Sequence, residues 1–190
     1  MQFLYTLTAL STLATAAINP NIKRAVPRHD IYIYHYSTCQ GRLGFLCPNH
    51  LDGDCCTIPN AHDPASSAQY ADPGSSTMSS EYDISVYNRI PAREFSSGFN
   101  MCGVRQARHT QCADGTFSRV SGAVVESGSD TVRGRADSAH VRASKYFYLG
   151  GDRRRWTIDV DSDLGRACAG VANSRKGEFL REHGQETLLR

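Results

Sequence analysis

Glu81-Tyr-Asp-Ile-Ser-Val-Tyr-Asn-Arg-Ile90 alternates apolar and polar residues through most of its length. Tyr82, Ile84, Val86 and Ile90 fall on one face, and Asp83, Ser85, Tyr87 and Arg89 on the other. A period of two suits a half-buried antiparallel strand, and Pro91 ends it. Upstream, Ile31–Tyr36 is rich in β-formers, Ser37–Gly41 turns the chain, and Leu43–Cys47 reads as the partner strand. His50–Cys56 reads as a loop around Asp52-Gly53, and Asn60–Ser80 as a long surface loop with little to bury. Downstream, strands are expected over Phe99–Val104, Thr116–Val125, His140–Ala143, Lys145–Leu149 and Arg154–Val160. Asp161-Ser-Asp163 can start a helix, in which Leu164, Cys168, Val171 and Ala172 recur at helical spacing. A further turn or two runs through Phe179 and Leu180, and the tail after Gly184 reads as frayed. The expected fold is mainly β, a Greek-key-like antiparallel sandwich stapled by disulfides, with one C-terminal helix.

Residues 1–17 are short, apolar and uncharged, and end in Ala14-x-Ala16, as a secretory signal peptide does. Residues 18–24 read as a short pro-segment closed by the dibasic processing pair Lys23-Arg24. That leaves 25–190 as a single secreted, cysteine-rich domain. Nothing after residue 24 is apolar enough to span a membrane. Removing residues 1–24 takes away two basic residues and no acidic one, leaving 19 of each sign. Residues 25–84 are acidic and 85–190 basic, the latter almost wholly through arginine. The two halves either neutralise each other within the fold or leave an anion-binding face.

All seven cysteines follow the leader, and in an oxidising compartment they should pair. Cys39, Cys47, Cys55, Cys56, Cys102 and Cys112 are the disulfide candidates, with Cys168 as the odd one in the helical pattern. Their connectivity stays open. The neighbours Cys55 and Cys56 should bond to two different segments, because adjacent Cβ atoms point apart in an extended chain. No pair of spacings matches a zinc site, so neither metal nor cofactor is expected.

Tyr34-His-Tyr-Ser-Thr-Cys39-Gln-Gly41 resembles the Greek-key signature of the βγ-crystallins, with cysteine at the second aromatic position. The longer pattern, from Tyr34 through Cys47 to Cys55-Cys56, looks like a group of uncharacterised small secreted fungal proteins. The resemblance implies a cysteine-bearing opening followed by several strands and a closing helix. The calcium signature of calcium-binding crystallins is missing, so calcium is not implied.

Hydrolase nucleophile and phosphate-loop motifs are absent. A secreted ribonuclease could be assembled from His109 flanked by Arg105 and Arg108, or from His140 beside Arg142, with Glu81 or Glu94. His62-Asp63 falls in the long loop, a poor setting for catalysis. Arg153-Arg154-Arg155-Trp156 is the sharpest polar feature. On a strand, Arg153 and Arg155 share a face and could hold phosphate, sulfate or an acidic glycan near Tyr146 or Tyr148. The plainer reading is a solvated, charge-protected edge strand. The sequence therefore points to a non-enzymatic, effector-like or toxin-like protein. It would bind a host protein, cell-wall glycan or other anionic ligand outside the cell. The alternatives are a small hydrolase acting on RNA or polysaccharide, and a structural wall or spore-coat component.

Overall fold

A computed structural model describes residues 27–59, 65–88, 102–115, 120–126 and 140–190. The leader, Lys23, Arg24, His62, Glu94 and parts of the expected strands at 99–104 and 116–125 lie outside these residues.

The chain is mainly β. A seven-stranded sheet is built from β1 (Arg28–Tyr34), β2 (Leu43–Leu51), β4 (Ser67–Ala71), β7 (Ala113–Asp114), β10 (Lys145–Leu149), β11 (Arg154–Asp159) and β12 (Gln185–Leu188). Its order is β12-β11-β10-β2-β1-β4-β7. A five-stranded sheet runs β6 (Val104–His109), β5 (Asp83–Asn88), β8 (Gly122–Glu126), β3 (Cys55–Thr57) and β9 (His140–Arg142). Among the described residues all the strand pairs are antiparallel except β3 with β9.

The alternation of β5 is realised as expected. Ile84 and Val86 enter the core shared by both sheets, where they meet Ile31, Ile33, Phe45 and Tyr70 of the larger sheet. Asp83, Ser85 and Tyr87 take the other parity. β1 is buried on both faces, because Tyr32 and Tyr34 pack on the far side with Leu46 and Phe147. This explains its near-continuous apolar run. Gly44 sits opposite Tyr34 where β2 pairs with β1, and a Cβ there would lie 2.0 Å from the Ile33 carbonyl oxygen.

Three disulfides join the six expected cysteines: Cys39–Cys112, Cys47–Cys56 and Cys55–Cys102. Cys55 and Cys56 bond to different segments, since consecutive strand residues face opposite sides. Cys56 enters the core between the sheets, and Cys55 packs with Tyr87, Cys102 and Val124. Cys168 is buried in the core and takes part in none of the three.

Four details differ from the sequence expectation. The long loop holds β4, whose Ala, Ser and Gln are weak β-formers; pairing with both β1 and β7 and burial of Tyr70 define it. β2 and β3 shorten the loop at 50–56 to Asp52–Asp54. The closing helix is two helices, α1 (Asp163–Gly170) and α2 (Asn173–His183), because Val171 is extended at φ −77° and ψ 137°. The tail is a strand rather than a frayed end, hydrogen-bonded to β11. Ser162 caps α1, its hydroxyl accepting from the Gly165 amide at 2.9 Å. α2 lies against β10 and β11. No helix among the described residues is long and apolar enough to cross a membrane.

Candidate functional site

The arginine cluster of the sequence is split by the β10–β11 hairpin. β10 and β11 pair Tyr148 with Trp156 and Leu149 with Arg155. The Gly150 amide donates to the Arg154 carbonyl at 2.7 Å, which closes the turn. Arg155 points inward and is 8% exposed. Its guanidinium donates to Asp30 at 2.9 Å and to the Tyr32 hydroxyl at 2.6 Å. Asp30 also accepts from the amides of Asn49, at 2.9 Å, and Gly74, at 3.3 Å. Burial pushes the Tyr32 hydroxyl above its usual range, against the pull of Arg155. Arg155 is thus committed to an internal ion pair and does not face a ligand with Arg153. Arg154 is exposed but bound by Asp152 at 2.7 Å and Glu186 at 3.1 Å.

Arg153 lies in the turn itself, exposed, with φ +61°. Glycine adopts this left-handed backbone freely, and other residues do so at a cost. Arg153 borders a cleft of about 380 Å³ lined also by Ser76, Met78, Leu149, Arg154 and Leu189. Arg42 reaches the same turn: a Cβ on Gly151 would lie 3.8 Å from its guanidinium. No carboxylate among the described residues pairs with Arg42 or Arg153. Each guanidinium offers a planar fork of donors that matches carboxylate, sulfate or phosphate. Trp156 is half-buried, with its ring 6.0 Å from that of Tyr148 and its edge packed over Gly150. It buttresses the turn. Arg42 escapes sequence inspection because it lies far from Arg153 in the chain; only the β2–β10 pairing brings the two together.

The ribonuclease candidates are not gathered around histidine. His109 is exposed, and its Nδ1 accepts from the Gln111 amide at 3.2 Å. It is paired with Ile84, whereas Arg108 is paired with Ser85 on the other parity. Glu81 is exposed. His140 contributes its backbone to β9, and its side chain lies outside the described residues. Arg105 and Arg108 converge instead on Glu126, which is 3% exposed. Glu126 accepts from Ser85 and Tyr87 at 3.2 Å each, and Arg108 also binds Asp83 at 2.6 Å. Burial and the Glu126 charge push the Tyr87 hydroxyl up to about 12. The sequence reading missed Glu126, whose strand reaches Arg108 only through β5. Such a carboxylate is a general-base candidate by type, yet both of its oxygens are already engaged. Among the described residues no group of three His, Cys, Asp or Glu side chains is arranged to hold a metal ion.

No protein-family model, curated protein or solved structure matches this chain.

Proposed function

We propose that this is a secreted, non-enzymatic binding protein, effector-like or toxin-like, which takes an anionic group at the β10–β11 turn. The carrying observation is the different fate of neighbouring arginines. Arg155 and Arg154 are neutralised within the fold, whereas Arg153, at the rim of an open cleft, and Arg42, which reaches the same turn, have no carboxylate partner among the described residues. Arginine at a position where glycine would be cheaper supports a role for the side chain rather than for the turn. The ligand group is a sulfate, phosphate or carboxylate, borne by a wall glycan or an acidic protein. Export is supported by the leader-like residues 1–17 and by the three disulfides, which belong with an oxidising compartment.

The test is equilibrium binding of the protein purified from culture medium to a sulfated and a phosphorylated polysaccharide. Arg42→Ala with Arg153→Ala should weaken binding at least tenfold, since a charged hydrogen bond is worth about 1.5–3 kcal/mol. Arg154→Ala should change it little. Equal affinity of the double variant and the wild type would refute the turn as the site. The hydrolase alternative rests on the Glu126–Arg105–Arg108 arrangement. RNA turnover abolished in Glu126→Gln with the fold retained would favour it.

A further inference from the structure

His35, just beyond β1, is 4% exposed, and neither of its ring nitrogens has a hydrogen-bond partner. Its ring packs 5.2 Å from Phe45 of β2, and Phe45 packs 5.3 Å from Tyr146 of β10. The Lys176 ammonium lies 5.6 Å from the Tyr146 ring centre. Lys176, on α2, is 2% exposed and has no carboxylate partner among the described residues. Two basic side chains are therefore buried on either side of one aromatic pair.

The other charges on the surrounding elements are paired, exposed or at the far ends of their strands: Asp163 and Arg166 of α1 bind each other, and Arg154 of β11 binds Asp152 and Glu186. On β10 and β11, Lys145 pairs with Asp159. On α2, Arg181 lies over Tyr148, Glu182 contacts His183, and Arg175 and Glu178 line a surface cleft at the α1–α2 junction. β2 brings only His50, at its opposite end, and β1 brings Arg28 and His29 at its far end and Asp30, which is bound by Arg155.

We propose that His35 and Lys176 form an acid-operated release for α2: protonation of His35 sets two buried like charges against each other and undocks the helix from β10 and β11. The surface uncovered includes the Tyr146 ring, over which Lys176 lies. In the docked state burial, and then the Lys176 charge, hold His35 down to about 4; freed, it titrates near its ordinary ~6.5. The undocked form binds the proton more tightly, so its share grows as pH falls through that interval. These two values give a rise of about thirtyfold between pH 7.5 and pH 5.

Hydrogen–deuterium exchange on the full secreted protein reads this directly. After correction for intrinsic rates, α2 amides should exchange about thirtyfold faster at pH 5 than at pH 7.5, while β5 and β8 amides stay protected. His35→Gln should remove the pH dependence, and Lys176→Met should reduce it. Unchanged α2 protection in the wild type, or an equal acid response in His35→Gln, overturns the proposal. If His35→Gln fails to fold, an undiminished response in Lys176→Met overturns it as well.

Discussion

At the scale of single residues, three adjacent arginines have three different surroundings. Arg155 is held in the interior by Asp30 and Tyr32. Removing one partner of such a pair strands a buried charge, so Asp30→Ala should destabilise the fold by about 3–5 kcal/mol in urea unfolding. Asp30→Leu with Arg155→Met removes both charges and should recover much of that loss. Arg153 behaves in the opposite way. Arg153→Gly relaxes the left-handed backbone and should hold or raise stability by up to about 1 kcal/mol. The same substitution should weaken anion binding, and a variant losing both stability and binding would assign Arg153 to the fold instead. The sequence makes the density of arginine here plain. It does not show which guanidinium is used up, because Asp30 is supplied by a strand more than a hundred residues away.

At the scale of elements, legibility follows the strength of the local pattern. β5, β10 and β11 alternate cleanly or are rich in aromatics, and they form where expected. The start of α1 was equally readable from Asp161-Ser-Asp163, with Ser162 as the cap. Ser162→Ala should lower stability by about 1 kcal/mol, as calorimetry or urea unfolding can check. β4 and β12 were not readable. Their sequences, Ser-Ala-Gln-Tyr-Ala and Gln-Glu-Thr-Leu, carry weak intrinsic preference and become strands because a neighbour offers an unpaired edge. The same limit hides the candidate site. Arg42 and Arg153 meet through the pairing of β2 with β10, and Glu126 meets Arg108 through β5; both are non-local consequences of sheet order.

At the scale of the whole molecule, acid and reduction are the conditions to which this architecture is sensitive. His29, His35 and His50 are all buried, and burial lowers each below the ordinary imidazole value. The unfolded chain therefore binds more protons than the folded one below about pH 6.5, so stability rises with pH across this interval and falls on acidification. His35 alone, held down to about 4, accounts for a loss of about 3 kcal/mol on going from pH 7 to pH 4. Urea midpoints at pH 7 and pH 4.5 should differ accordingly, and a flat profile would contradict the burial of these rings. The disulfides contribute according to the chain they close. Cys39–Cys112 spans 73 residues and Cys47–Cys56 spans 9. Chain-entropy arguments give about 4 kcal/mol for the first and about 3 kcal/mol for the second. Paired Cys→Ser variants should rank in that order.

The pairing itself is the most direct test of the disulfide-stapled β-sandwich and of the export proposed for it. Partial reduction and tandem mass spectrometry of the protein recovered from culture medium would map it. The expected map is Cys39–Cys112, Cys47–Cys56 and Cys55–Cys102, with Cys168 in none of them; the proposed export and dibasic processing predict a chain beginning at Ala25. A different connectivity, or a fully reduced chain retained inside the cell with its first 24 residues attached, would contradict the account.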